Sequence, residues 1–338
     1  MRAEFTLYVQ LLIALVADYG LGDPRFLPHP VRFIGQLCVF YESFARESLT
    51  WLSMKSRGVI AFFLVLLTTM AALAVFFLAL LHIAEGAALL GALLVCFFCI
   101  AAGDLVAHSN SVYAHLISAD MGGARQAVAL MVGRDTAALD EGGVCRACVE
   151  SVSENMVDGI TAPLFWIFSG AIGGAFSQLN PLIGGACGAM AYKAINTMDS
   201  MYGYKNTQYL EFGWGAARVD DLANFIPARL SGLCLIGAAY LLSFDGRNAA
   251  RIYKRDRLRS SSPNSGHSEA AVAGALNIEL GGPSLYFGRV TCKEYIGEGL
   301  GRVRPGDIKK ANRLVIVASL IFFGLCCILH LFLATVLR

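Results

Sequence analysis

From Gly58 to Ala84 the chain carries no Asp, Glu, Lys or Arg, and after Glu85 a second apolar run extends from Gly86 to Gly103. A helix needs about 20 such residues to cross a bilayer, because the hydrocarbon offers no partner to a bare backbone N–H or C=O. The two runs therefore read as a transmembrane hairpin over 58–103. A further run, Leu314 to Leu337, lies between Arg313 and Arg338, whose long side chains can reach the headgroups. Composition agrees: 56% of residues are hydrophobic, 15% are charged and mean hydropathy is +0.59. A soluble domain carries roughly 45–50% apolar residues.

Between Asp158 and Lys193 lies an uncharged stretch interrupted at Asn180 and Pro181, with Gly170 and Gly174 before the break and Gly184 and Gly188 after it. Small residues four apart let helices pack closely, which predicts two short membrane-embedded helices. Leu230 to Phe244 is apolar but short for a span, and reads as re-entrant or buried. Phe5 to Ala17 has the look of a signal peptide. Glu4, Leu15 at the position a small residue should hold, and the polar motif that follows all argue for its retention. The expected fold is mainly α: a polytopic helical membrane protein with about four to five membrane-embedded helices plus helical cytoplasmic segments. Within one catalytic domain over 1–338 the expected parts are the hairpin at 58–103, an acidic cytoplasmic loop at 104–158, a glycine-rich membrane segment at 159–192, a polar motif-bearing region at 193–313 and a C-terminal transmembrane helix at 314–338.

Net charge is only +2, but it is unevenly spread. Asp245 to Arg313 holds 13 Lys and Arg against 7 Asp and Glu, with Arg247, Arg251, Lys254, Arg255, Arg257 and Arg259 crowded together. The positive-inside rule places this region in the cytoplasm. Asp104 to Asp158 holds 3 basic against 8 acidic residues, which suits cations or a solvated acidic face. No stripe of basic and aromatic residues speaks for nucleic acid. The CxxC pairs Cys96/Cys99 and Cys145/Cys148 lack a second pair or histidines at zinc spacing, so the cysteines read as packing residues. His82 and His330, inside apolar runs, read as satisfied interior groups. No Walker A sequence is present, so a nucleotide must be held in another way.

Several polar motifs punctuate this frame. The segment Asp18 to Arg32 contains Pro24, Pro28 and Pro30, which stiffen a loop able to hold Asp23, His29 and Arg32 in place. After Gly133-Arg134-Asp135-Thr136, a helix is predicted from about Asp140, with Val144, Cys148, Val152 and Met156 on one face and Arg146, Glu150, Glu154 and Asp158 on another. Three stacked carboxylates repel one another by a few tenths of a kcal/mol per pair, and Arg146 relieves only one end. Magnesium carrying ATP phosphates fits such a stripe; a solvated face is the alternative. Lys193, Asn196 and Ser200 share a helical face with Asp199 beside it. Arg218, Asp221 and Asn224 recur at spacing three, and Asp220 reaches Asn224 at spacing four, as a polar network or, through Asp220 and Asp221, as metal ligands. In Ser262-Pro263-Asn264-Ser265-Gly266-His267-Ser268-Glu269, Asn264, Ser265 or Ser268 suits an N-cap, and the free amides of that helix start suit a phosphate.

Taken in order, Gly22-Asp23-Pro24 with His29-Pro30-Val31, Gly133-Arg134-Asp135, Glu150-Ser151-Val152-Ser153-Glu154-Asn155 with Asp158-Gly159, Asn196-Thr197-Met198-Asp199-Ser200-Met201, Arg218-Val219-Asp220-Asp221 and Pro263-Asn264-Ser265-Gly266 resemble the CobD/CbiB family of cobalamin biosynthesis, the adenosylcobinamide-phosphate synthases. The match runs from about Asp18 to the last apolar span. The resemblance implies ATP-dependent amide formation between adenosylcobyric acid and aminopropanol or its O-phosphate, through an acyl phosphate, with magnesium. It implies catalytic roles for His29, Asp135, Glu154, Asp199 and Lys205. Substrate and phosphate contacts would fall to Asp23, Arg32, Arg134, Asn155, Asn196 and Ser200, and further along to Arg218, Asn224, Arg229, Asn264, Ser265 and His267. Glu150, Glu154, Asp158, Asp220 and Asp221 would be the metal candidates. Expected partners are the two substrates, the bilayer of a prokaryotic inner membrane and other corrinoid-pathway enzymes. A corrinoid-binding protein or transporter without catalysis is the rival, against which the carboxylates lie outside or at the ends of the apolar runs.

Overall fold

The computed structural model describes residues 2–22, 29–203, 206–286, 288–299 and 303–336. Asp23 and Lys205 lie outside the described residues. The chain divides into two compact units, Met1–Ile100 with Ala162–Ala223 and Cys326–Arg338, and Ala101–Thr161 with Asn224–Leu325.

The first unit contains α1 (Arg2–Leu21), α2 (Pro30–Ser48), α3 (Met54–Ile83), α4 (Glu85–Cys99), α8 (Ala162–Phe176), α9 (Pro181–Tyr202) and α10 (Trp214–Ala223). The hairpin turns at Ala84, whose extended backbone (φ −170°, ψ 148°) separates α3 from α4. Gly91 lets the two helices close, since a Cβ there would stand 2.5 Å from Leu80 Cδ1. Asn180 caps α9 through its side chain, which accepts from the Leu182 amide at 3.0 Å, and Pro181 occupies the first helical position, where no N–H is needed. The glycines form the seam between α8 and α9. A Cβ on Gly184 would meet Gly170 O at 2.5 Å and Gly174 Cα at 2.9 Å, and one on Gly188 would meet Trp166 O at 2.2 Å. In lipid, where apolar contact between helices gains little from excluding water, this backbone proximity is the main source of cohesion. His330 is a satisfied interior group, its Nδ1 2.9 Å from the Tyr8 hydroxyl, whereas His82 lies exposed near the end of α3.

The second unit contains α5 (Ala102–Ile117), α6 (Met121–Ala129), α7 (Glu141–Met156), a π-helical turn (Val157–Thr161), α11 (Phe225–Leu241), α12 (Gly246–Asp256) and α13 (Ser265–Leu276). It also holds two antiparallel pairs, β1 (Glu279–Leu280) with β4 (Ile296–Gly297) and β2 (Pro283–Tyr286) with β3 (Arg289–Cys292). Most of α14 (Pro305–Val336) belongs here. Every residue of α13 from Ser265 to Ala275 is buried, although four of them are Ser, His, Ser and Glu. Small residues permit this: a Cβ on Gly274 would stand 2.7 Å from Ala249 Cα, so α12 and α13 touch backbone to backbone.

By length and composition, five helical stretches among the described residues suffice to cross a membrane: Glu4–Leu21, Met54–Ile83, Glu85–Ile117, Glu141–Phe176 and Pro305–Val336. The protein is a polytopic helical membrane protein. Three details differ from the sequence expectation. Residues 104–117, assigned to an acidic loop, continue the α4 stretch, because Asp104 is the only Asp, Glu, Lys or Arg in α5. The α9 helix is not among the five, its polar second half from Lys193 to Ser200 diluting the apolar first. The strands were not anticipated at all. Leu230 to Leu241 lies in the 17-residue α11, which is not by itself among the five, in keeping with its reading as a re-entrant or buried segment.

Candidate active site

A buried charged cluster lies in the second unit and grows from the predicted helix α7. Asp140 caps it, Oδ1 accepting from the Gly143 amide at 2.8 Å, and Glu150 and Glu154 follow one turn apart. Glu150 is buried and fully engaged. One carboxylate oxygen takes the Arg134 guanidinium, and the other accepts from the Gly281 amide at 2.6 Å. Arg134 Nη1 also donates to the Ser284 hydroxyl at 3.3 Å, while its Nε is buried without a hydrogen-bond partner among the described residues. The expected partner, Arg146, turns away and donates to the Gly281 carbonyl at 3.2 Å. Glu154 remains exposed.

Helix α13 and the segment after β3 complete the cluster with Glu269 and Lys293. Burial, then the charges of Glu154 and Glu150, push the Glu269 carboxyl up to about 8, with Lys293 and Arg134 acting in the opposite sense. Burial disfavours the Lys293 ammonium, yet Tyr286, through charge and a hydrogen bond, and then Glu150 and Glu269 hold it above its ordinary value. Glu269, with a pKa of about 8, thus holds its proton over much of the neutral range beside the Arg134 and Lys293 cations. This is an arrangement suited to anionic ligands and to proton exchange.

Neighbouring motif residues hold the frame. Asp135 Oδ2 accepts from the Gly288 amide at 2.8 Å and the Asp135 amide donates to Leu285 O at 2.8 Å, so this residue fastens the β2–β3 hairpin at its turn, where Gly288 has φ +73°. Asn155 donates to the Ser151 carbonyl at 2.9 Å and hydroxyl at 3.0 Å. Asp158 lies half-buried in the π-helical turn that follows α7 at Val157. Among the described residues no three His, Cys, Asp or Glu side chains are grouped to hold a metal ion. Further along, Arg229 Nη1 approaches Asn264 Oδ1 at 3.5 Å, Ser265 pairs with Ser260 at 2.7 Å, and His267 meets Tyr253. Asn224 stands at the start of α11, where its carbonyl accepts from the Ala228 amide at 2.9 Å. Part of the basic crowd on α12 is used internally: Arg255 pairs with Asp256 and Glu298, and Arg251 with Glu298 at 2.6 Å.

The remaining predicted residues belong to the first unit. His29 caps α2, its Nδ1 accepting from the Val31 amide at 3.2 Å, and its ring stands edge-on to Phe98 at 5.3 Å. Arg32, Ser200 and Arg218 are exposed. Asn196 donates to buried Asp220 at 3.4 Å, which ties α9 to α10. Asp199 is half-buried and its carbonyl accepts the Gly203 amide at 2.6 Å; Asp221 is half-buried on α10. Glu150, Glu154 and Asp158 thus fall in one unit and Asp220 and Asp221 in the other.

Glu269, Lys293 and Tyr286 escaped sequence reasoning. Glu269 sits one residue beyond the PNSGHS motif in an alanine-rich run that reads as an ordinary helix. The hairpin signal was available in Leu285-Tyr286-Phe287-Gly288-Arg289-Val290, β-forming residues flanking a glycine.

The sequence matches the CobD/Cbib protein family over residues 11–315. It is 43% identical over 315 residues to the cobalamin biosynthesis protein CobD of Desulfotalea psychrophila, covering 92% of this chain and 94% of that one. The protein of the same name from Pelobacter propionicus is 42% identical over 92% of this chain and 91% of its own. That from Geobacter metallireducens is 45% identical over 86% of each. No solved structure matches the chain.

Proposed function

The chain belongs to the CobD/Cbib family and serves cobalamin biosynthesis, and from that premise we propose that it is an ATP-dependent ligase joining adenosylcobyric acid to aminopropanol O-phosphate or aminopropanol. The observation that carries the reading is the cluster of Arg134, Glu150, Glu154, Glu269 and Lys293, in which buried charge is concentrated beside an exposed carboxylate. A packing core would not retain such a cluster, since each buried ion costs several kcal/mol of solvation.

A carboxylate is a poor acyl donor. Its oxygen attacks the γ-phosphorus of ATP, ADP departs, and the acyl phosphate is then attacked by the amine nitrogen with loss of phosphate. Lys293 and the Arg134–Glu150 pair supply fixed positive charge and rigid placement for the transferred phosphoryl group. The amine arrives as an ammonium and must shed a proton; the deprotonated fraction of Glu269, which grows as pH rises toward its pKa of about 8, is the group suited to receive it. Glu154, the carboxylate left over once Glu150 is claimed by Arg134, is the residue that would hold magnesium. The ion would supply positive charge to the ATP phosphates. The segments 118–140, 193–213 and 245–304, outside the stretches able to cross a membrane, would face the cytoplasm, where ATP is found.

Detergent-purified protein incubated with adenosylcobyric acid, ATP, magnesium and either amine should yield the amide, and hydroxylamine should intercept an acyl intermediate. Corrinoid binding without any amide would leave the non-catalytic reading standing.

A further inference from the structure

The turn that opens α13 is not built as an ordinary helix start. Asn264 holds the capping position without a side-chain bond to the first-turn amides, and its oxygen accepts instead from Arg229 Nη1 at 3.5 Å. The Ser265 hydroxyl is spent on Ser260, and Ser268 donates to the Ser265 carbonyl at 3.1 Å. Ser262, outside the helix, accepts from the Asn264 and Ser265 amides at 3.2 and 3.4 Å. The capping role that explains a serine-rich helix start therefore falls to Ser262 and leaves Asn264, Ser265 and Ser268 unexplained by it.

His267 in this turn is only 2% exposed, and its Nε2 is buried with no hydrogen-bond partner among the described residues. The Tyr253 hydroxyl is 3.0 Å from His267 Nδ1 and 3.4 Å from the Arg229 carbonyl. Donation along the shorter contact puts the ring proton on Nε2, a donor facing no protein acceptor. A buried donor of this kind is costly unless something else satisfies it.

Two guanidinium groups act on the same imidazole. After burial, the charges of Arg229 and Arg257 push the His267 pKa down to about 4, so the ring is neutral at physiological pH. Arg255 and Arg259 nearby are paired with Asp256, yet neither Arg229 nor Arg257 has a carboxylate within ion-pair distance among the described residues. They donate to backbone carbonyls, Arg229 to Phe225 at 2.6 Å and Arg257 to Lys254 at 2.7 Å. Two uncompensated cations, a helix N-terminus and an unsatisfied buried donor share one requirement, an oxyanion of about two charges.

We propose that Arg229, Arg257, His267 and the opening turn of α13 form a binding site for a phosphate monoester dianion. The phosphate could be carried by an aminoalkyl phosphate or by a nucleotide. The first source rests on the reaction proposed above, and there the site would grip the amine substrate by its phosphate. Doubly charged phosphate matches two guanidinium groups, and its several oxygens can accept from both arginines and from Nε2 at once.

The test is calorimetric titration of the full chain in detergent with O-phosphoethanolamine, ethanolamine and ATP. Phosphoethanolamine should bind, weakening as salt rises, while ethanolamine should not. Arg257→Gln and His267→Gln should each weaken the phosphate ligand about tenfold or more, and Arg257→Lys should retain most of the affinity. Loss confined to ATP would keep the oxyanion site and assign it to the nucleotide. Wild-type affinity in both Gln variants, or equal binding of ethanolamine, would overturn the proposal, as would equal loss in Arg257→Lys with a collapsed melting transition. Failure of the ligase reading is separable: it would appear as intact phosphoethanolamine binding with no amide formed.

Discussion

Separating what the Arg134–Glu150 pair does for stability from what it does for chemistry needs a double-mutant cycle of Arg134→Met, Glu150→Leu and the combination. The two side chains are 8% and 6% exposed, and Glu150 also accepts from the Gly281 amide. Removing either partner strands the other charge in a poorly solvated place, at a cost of about 3–5 kcal/mol. Replacing both with apolar side chains removes both solvation penalties, so the double variant should lose much less than the sum of the singles, offset mainly by the unsatisfied Gly281 amide at about 1–3 kcal/mol. In detergent melts the singles should fall by roughly 5–10 °C, with the double well above the additive value. Amide synthesis should behave differently and remain abolished in the double variant, because regained stability does not restore positive charge for phosphoryl transfer. Additive losses in melting would refute the coupling, and recovery of synthesis in the double variant would refute a catalytic role for the pair.

Three further outcomes follow from the same geometry. Glu154→Gln should melt near the wild type, since the side chain is exposed, while turnover falls by orders of magnitude and recovers in part with excess magnesium; near-normal turnover at limiting magnesium would remove Glu154 from the metal site. Gly184→Leu should destabilise the first unit by about 1–3 kcal/mol or more, because its Cβ would stand 2.5 Å from the Gly170 carbonyl oxygen; an unchanged melt would mean that the seam has slack. For His267 the folded pKa, about 4, lies below the ordinary 6.5, held there by burial, Arg229 and Arg257, with Tyr253 on Nδ1. Its contribution is therefore present above pH 6.5 and lost as pH falls toward 4, at most about 3 kcal/mol, and His267→Gln should flatten the melting profile over that window.

Much of this architecture is legible in the amino-acid order. The uncharged run after Gly58, the glycines flanking Asn180-Pro181 and the Asp140 cap each act through neighbours in sequence, and each forms the element that its local chemistry dictates. The α7 stripe shows the limit. Its carboxylates are visible as a helical face, but the partner of Glu150 is Arg134, 16 residues earlier, and periodicity within one helix pointed to Arg146 instead. Beyond Met156 the helix passes into a π-helical turn that carries Asp158, which no spacing rule reveals. Glu269 and Lys293 reach the cluster only through tertiary packing. They come from a helix whose alanines announce burial without saying against what, and from beyond a hairpin short enough to hide in a region read as helical.

The central claim, that this chain activates a corrinoid carboxylate with ATP, is tested most directly by stoichiometry. Purified protein is supplied with adenosylcobyric acid, magnesium, the preferred amine and ATP labelled at the α- and γ-phosphates, and amide, ADP, AMP, phosphate and pyrophosphate are counted against one another. One ADP and one phosphate for every amide formed, with none released when the corrinoid is withheld, is the predicted result. AMP and pyrophosphate in step with the amide would contradict the acyl-phosphate route, and amide formed without nucleotide cleavage would contradict the claim itself.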